Sequence, residues 1–170
     1  GQVLLLNGTN AAFTSSTSIT TSATTLTLTN SSAYYATGRD FVSYCFSDVA
    51  GYQKIGSYTG NGSTSGPTIT TGFRPRFVMI KRTDGANDWM IFDSARGVNT
   101  LNNVYLYPNL PDVEGSSPTN GVEFLSTGFK QSNTWAEANA NGGTYIYLAI
   151  ADTTDAQFNF DASGNHNNWT

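Results

Sequence analysis

The residues that could do chemistry in this sequence are a few carboxylates, one histidine, one cysteine and a set of aromatic rings. His166 is the only histidine and lies in a run of Gly and Asn, which argues against a Ser-His-Asp arrangement and most transition-metal sites. Glycoside hydrolysis needs two carboxylates at a defined separation. The candidates are Asp84, Asp88, Asp93, Asp112, Glu114 and Glu123. Because their spacing is that of ordinary surface acids, we predict no catalytic, metal-binding or cofactor-binding residue.

The aromatic residues are the remaining candidates for a binding surface. Trp135 lies in the polar run Ser132–Glu137, where it could stack on a sugar ring or pack against another subunit. Tyr105 and Tyr107 alternate in a short apolar strand and join Trp135 as candidate ligand or subunit contacts. Trp89 opens an apolar strand and is instead predicted to belong to the core.

The composition excludes several classes of partner. Only 12% of the residues are charged and the formal net charge is -4, so the basic surface of a nucleic-acid-binding protein is absent. No apolar run approaches the ~20 residues of a membrane span, so we predict no membrane insertion. A single cysteine, Cys45, rules out an intramolecular disulfide and is predicted to be buried as a small hydrophobe. Because the chain begins Gly1-Gln2, we expect it to be a product or part of a longer polypeptide.

The elements that would position these residues are all strands. The stretch 51–97 predicts a run of hairpins, with a turn after Tyr52–Thr59 and an Asp84-Gly85 turn between Phe77–Arg82 and Trp89–Phe92. The longest apolar run, Thr144–Ala151, predicts a central strand covered on both faces. Further strands are predicted at Val3–Leu6, Thr25–Thr29, Phe41–Phe46, Val104–Tyr107, Gly121–Leu125 and Thr127–Lys130, with a turn at Ser126-Thr127-Gly128 between the last two.

A weak internal repeat suggests how these strands are grouped. Residues 3–48 resemble residues 104–152, because each stretch runs from a short apolar strand to a strongly apolar strand that closes on Asp. We therefore predict one partial β-unit in residues 1–50, one complete related unit in residues 51–152, and a linker or following segment in 153–170. A partial unit must complete its sheet with another segment or subunit, since an open apolar edge is unstable alone.

Five runs in the chain also carry a family resemblance. They are Gly56–Thr64, Thr71–Asp84, Trp89 with Asp93–Arg96, Phe124–Phe129, and Asn141–Ala149. Together they resemble a β-rich repeat domain of unknown function found in large virion proteins of tailed bacteriophages, where it often occurs in tandem. The resemblance implies a structural or adhesion role in a phage particle, and no catalytic residue comes with it.

The sequence therefore predicts an all-β protein, an antiparallel sandwich or jelly-roll-like fold with one complete and one partial related β-unit. We expect a non-enzymatic structural component of a bacteriophage virion: a fibre, appendage or surface decoration. Its expected partners are other virion proteins and copies of itself, as a homotrimer, with a host surface glycan as a further candidate and no cofactor. The alternative is a carbohydrate-binding module of a phage or extracellular adhesin.

Overall fold

A computed structural model of the protein describes residues 2–14, 18–22, 24–29, 40, 42–96 and 101–151. Within these residues the chain forms β-strands and no helix. The strands are β1 (Gln2–Val3), β2 (Phe13–Thr14), β3 (Ser18–Thr21), β4 (Leu26–Thr29), β5 (Gln53–Thr59), β6 (Thr68–Thr70), β7 (Pro75–Arg82), β8 (Met90–Asp93), β9 (Leu101–Asn102), β10 (Val104–Tyr105), β11 (Gly115–Ser116), β12 (Gly121–Leu125), β13 (Gly128–Ser132) and β14 (Thr144–Ala151).

The first of two four-stranded sheets is built around β14. Its order is β5-β14-β7-β8 and every pairing is antiparallel. Ala149 of β14 lies opposite Lys54 of β5 and Val78 of β7. The prediction of a central strand at Thr144–Ala151 is confirmed, since β14 has a neighbour on each edge, but its outward-facing residues are only half-buried, so the expected cover on both faces is partial. Pro75 opens β7, where a missing N–H interrupts no ladder.

The second sheet has the order β6-β13-β12-β9 and is also antiparallel. Its centre is the β12–β13 hairpin, whose turn falls at Ser126-Thr127, as the sequence predicts. Strand β6 pairs with the far edge of β13, so the chain passes from the first sheet to the second between β5 and β7.

The two sheets pack face to face around one apolar core. From the first sheet, Val78, Ile80, Met90, Phe92, Tyr145 and Ala149 are buried, and from the second Val122, Phe124, Phe129 and Ile69. Phe129 meets Tyr147 edge to face at 5.2 Å across the sandwich. The predicted all-β, sandwich-like class is therefore correct.

The other face of the first sheet contacts residues 2–14, which we call the N-terminal segment. The Trp89 indole N–H donates to the Leu5 carbonyl at 2.9 Å, and the Ala12 N–H donates to Thr83 at 2.8 Å. The buried Lys81 ammonium donates to Thr9 at 3.3 Å. These bonds attach residues 2–14 beside β7 and β8, and Trp89 is buried as predicted.

The predicted run of hairpins in residues 51–97 is wrong in part. Strand β5 does not turn back onto the next strand but pairs along its length with β14, so the turn after Thr59 leads out of the sheet. Only β7 and β8 form a hairpin, and residues 83–89 connect them rather than a two-residue Asp-Gly turn. Local turn signals could not reveal that the partner of β5 lies at the other end of the unit.

The strand predicted at Phe41–Phe46 is not formed, and Cys45 is exposed rather than buried. Residues 42–48 have no strand partner among the described residues, and without one an apolar run can neither complete its hydrogen bonds nor bury its side chains. Phe41 itself lies outside the described residues. The strand predicted at Val3–Leu6 is shorter, ending at Val3.

Some predictions concern residues that the structure does not describe. The linker predicted for 153–170, including His166, lies outside the described residues. None of the described residues forms a helix long and apolar enough to cross a membrane.

Candidate functional site

The three residues singled out as contacts meet in one aromatic cluster. The Tyr105 ring lies 5.3 Å from Tyr107 and 5.0 Å from Trp135, and both contacts are edge to face. Trp135 also stacks on the buried Phe92 ring at 6.4 Å. All three are half-buried and pack against the core of the sandwich. Trp135 is thus anchored by packing on one side, rather than projecting from a polar loop.

Each ring is positioned by a different part of the chain. Tyr105 belongs to β10, which pairs with β11, and its ring lies across Gly115, where any Cβ would come within 2.6 Å of it. Tyr107 follows Leu106, which bridges to Ile91 at the edge of the first sheet. Trp135 comes from the connection between β13 and β14. The topology therefore brings together residues that are separated in the sequence.

A buried polar network holds the Trp135 connection in place. The Asn133 side chain accepts the Trp135 N–H at 3.1 Å and donates to the Gln131 side chain at 2.7 Å. Gln131 in turn donates to the Tyr58 hydroxyl at 3.0 Å. Asn139 donates to the Asn133 carbonyl at 2.6 Å. Gln131, Asn133 and Asn139 are fully buried, so this network is a specific structural element that the sequence reasoning missed.

The polar groups beside the cluster are already engaged with one another. Asn109 donates to the Asp88 carboxylate at 2.7 Å and accepts the Trp89 backbone N–H at 3.0 Å. Burial raises the pKa of Tyr107, and Tyr105 and Glu137 raise it further, so the Tyr107 phenol stays neutral and can donate a hydrogen bond. The cluster offers aromatic faces and hydroxyl groups for stacking and hydrogen bonding.

Several of the candidate carboxylates have local partners. Glu123 accepts from Ser132 at 2.5 Å and from Lys130 at 3.1 Å, which holds its pKa below the ordinary range. Asp84 pairs with Arg82 at 2.8 Å, and Glu114 pairs with Arg96. Among the described residues, no three His, Cys, Asp or Glu side chains come close enough to hold a metal ion.

A second surface, not predicted as a site, lies on the outer face of the first sheet. One row across its four strands consists of Ile55, Leu148, Met79 and Ile91, which are paired neighbours in the register. An apolar cavity of about 180 Å³ opens on this face, and Phe46 lines it together with Ile55, Met79 and Leu148. The face is thus only partly covered by the N-terminal segment.

The segment that carries Phe46 exposes alternate apolar side chains. Val42 is 80% exposed, Tyr44 82% and Phe46 56%, and Val49, which lies outside this alternation, is 46% exposed. We call residues 42–49 the exposed segment. Among the described residues, the hydrogen bonds and the ion pair that tie it to the sandwich lie at its end. The Gln53 side chain donates to Ser47, and the Asp48 carboxylate accepts from the Ile55 N–H and pairs with Lys54. The alternation was visible in the sequence as a strand signal, but exposure depends on a partner that no local pattern reveals.

A comparison with protein-family models gives one match, to a domain of unknown function (DUF7483) over residues 1–154. The matched region spans the N-terminal segment, the exposed segment and the whole sandwich. No curated protein and no solved structure shows significant similarity to the chain. Since the matched residues make up most of the sequence, the chain belongs to the DUF7483 family of domains of unknown function.

Proposed function

We propose that this protein is a non-enzymatic structural component of a bacteriophage particle, located at the virion surface, that assembles with copies of itself and with other virion proteins. The proposal combines the resemblance of its central motifs to phage virion repeat domains with one structural observation. That observation is the exposed segment, which presents an apolar side chain at every second position from Val42 to Phe46.

Exposed apolar rows of this kind mark interaction surfaces. A scattered exposed leucine needs no explanation, but aligned apolar side chains on an unpaired stretch of backbone offer both apolar area and free hydrogen-bonding groups. The exposed segment also borders the apolar cavity through Phe46, so its surface continues onto the outer face of the first sheet. Assembly through this region would cover both.

A structural role also fits the positions of the candidate carboxylates. Glu123 is held by a serine and a lysine, Asp88 by an asparagine, and Glu114 by an arginine. Each of these contacts stabilises a strand pair or loop. A glycosidase would instead direct two carboxylates at one substrate bond.

The assembly role is tested by sedimentation of the chain at micromolar concentration. We expect an oligomer, with a trimer as the proposed stoichiometry, and we expect the variant Val42→Ser/Tyr44→Ser/Phe46→Ser to sediment as a monomer. Val113→Ser is the matched control, because Val113 is 89% exposed in a different loop and should leave the oligomer intact. A monodisperse wild-type monomer would contradict the proposal. Mass spectrometry of purified phage particles tests the location.

A second function, glycan binding, is favoured by the convergence of Tyr105, Tyr107 and Trp135 in one half-buried cluster. A glycan array should then show binding that Tyr105→Ala and Trp135→Ala abolish while the circular dichroism spectrum is kept. Tyr44→Ser removes an exposed aromatic ring elsewhere and is the control. No signal from the wild-type chain would exclude this function for the arrayed sugars.

A further inference from the structure

The two strand pairs in residues 2–29 have the same register as two strand pairs in residues 104–132. In the β3–β4 pair, Ser18 lies opposite Thr29, and in the β12–β13 pair Gly121 lies opposite Ser132. Both residues of the first pair precede those of the second by 103 positions, and the same offset relates all four rows of β3–β4 to rows of β12–β13. A hairpin unrelated to β12–β13 would have no reason to share its register in all four rows.

The pair that precedes it follows the same rule. Gln2 lies opposite Thr14 and Val3 opposite Phe13, while Val104 lies opposite Ser116 and Tyr105 opposite Gly115. Here every residue is offset by 102 positions. Two independent pairs thus place residues 2–29 in the arrangement of residues 104–132, with a one-residue difference in the connection between them.

The exposed segment is the next element in this series. With an offset of 104, residues 42–47 correspond to residues 146–151 of β14. Val42, Tyr44 and Phe46 then match the outward-facing Ile146, Leu148 and Ile150. Cys45 and Ser47 match Ala149 and Ala151, so small residues recur at the buried positions of the strand. The side-chain sizes agree with the register on the outward face and at two inward positions, while Ser43 stands where β14 has the larger Tyr147.

We propose that the exposed segment is the central strand of a second sandwich, and that its partner is the β5–β9 half of another copy of this domain. In the complete unit β14 lies between β5 and β7. Within the part of the chain that the structure describes, the exposed segment lacks both neighbours, which explains why a strongly apolar run is left without a ladder. The inference rests on the proposed assembly role of this segment and names its partner.

The order of the chain specifies how that partner is connected. In this chain β14 already occupies the position between β5 and β7, so these two strands cannot also pair with the exposed segment. The complement is therefore a further β5–β9 half joined ahead of β1 in the same way that β9 precedes β10. The offset of 102 makes Gly1 the equivalent of residue 103. Residue 102 of such a half would therefore be joined directly to Gly1.

The test is the full chain extended by a copy of residues 51–102 placed directly before Gly1. Cys45, the only cysteine, is exposed in the unextended chain and reports completion of the sheet. We expect its alkylation to slow by roughly a hundredfold or more in the extended chain, since a strand at the centre of a sheet opens rarely. The same extension carrying Val78→Asp and Ile80→Asp in the added half is the control, and should leave Cys45 as reactive as before.

The register gives a sharper readout. Ala149 lies opposite Lys54, so Cys45 should lie opposite Lys54 of the added half, with Cα atoms about 4.5–5.5 Å apart, a disulfide-compatible distance. Lys54→Cys in the added half should therefore form a disulfide with Cys45. Ile55→Cys, which faces the other side of the sheet, should not.

Two outcomes would overturn the inference: unchanged alkylation of Cys45 in the extended chain, or equal cross-linking of both cysteine variants. Absence of the protein from phage particles would contradict the proposed function without changing the cross-linking result.

Discussion

Replacing Asn139 by Ala should destabilise the sandwich through the loop that carries Trp135. The Asn139 side chain is fully buried and connects two loops. Its oxygen accepts the Asn61 N–H at 2.9 Å, and its nitrogen donates to the Asn133 carbonyl at 2.6 Å and to the Ser63 carbonyl at 2.9 Å. No turn of the backbone can replace these bonds once the amide is removed.

The magnitude follows from counting these bonds. Each contributes about 1 kcal/mol net, so Asn139→Ala should lower the free energy of unfolding by about 3 kcal/mol. For a chain of this length that corresponds to a fall in Tm of roughly 6–12 °C. Urea unfolding followed by circular dichroism and thermal unfolding would both measure it.

Two further variants separate hydrogen bonding from volume. Asn139→Asp keeps the size but points a carboxylate oxygen at two carbonyl oxygens, so it should be at least as destabilising as Ala. Asn141→Ala, at an exposed position in the same loop, should stay within about 0.5 kcal/mol of wild type. If Asn139→Asp were neutral, or Asn139→Ala as mild as Asn141→Ala, the assignment of the network as a structural element would be refuted.

Three other predictions concern single contacts. Gly128→Ala places a Cβ 2.0 Å from the Ile69 carbonyl oxygen and should lower stability by at least about 2 kcal/mol, mainly through loss of the β6–β13 pairing seen by hydrogen exchange; an unchanged Tm would contradict it. The depressed pKa of Glu123 stabilises the fold above the ordinary Glu pKa of about 4.3 and is lost as pH falls through the lower folded value. The Tm of wild type should thus exceed that of Glu123→Gln at neutral pH, and the difference should shrink toward zero in acid. A difference that stays constant with pH would show that the carboxylate charge plays no part. Asp112→Asn is the control. Lys81→Met removes the donor to Thr9 and should lower hydrogen-exchange protection of the Ala12 amide by roughly tenfold, since a charged hydrogen bond contributes about 1.5–3 kcal/mol; unchanged protection would show that Lys81 does not hold the N-terminal segment.

The sequence predicted those parts of the fold whose signal is local. The apolar run Thr144–Ala151 specified a central strand, and the turn at Ser126-Thr127 specified a hairpin, because both depend on neighbouring residues. The partner of β5 could not be predicted, since the turn signal after Thr59 is equally compatible with a hairpin and with a crossing to the second sheet. Pairing across the whole unit is decided by the fold as a whole.

The candidate site was predicted in its members but not in its arrangement. Tyr105, Tyr107 and Trp135 were each named from their surroundings in the sequence, and their convergence follows from the edge of the first sheet and the network under Trp135. Asn139 was missed because asparagine in a loop has the same sequence signal whether it caps a turn or is buried. Cys45 was misplaced because its burial depends on a strand partner, which its own sequence does not describe.

The most direct test of the assembly account is cryo-electron microscopy of a phage particle that contains this protein, with the neighbouring chains traced. We predict that residues 42–47 form a strand with a β5-type strand on one side and a β7-type strand on the other, and that Val42, Tyr44 and Phe46 are covered. A particle in which these residues remain unpaired and exposed, while Tyr105, Tyr107 and Trp135 contact a glycan, would contradict the account and favour the adhesin alternative.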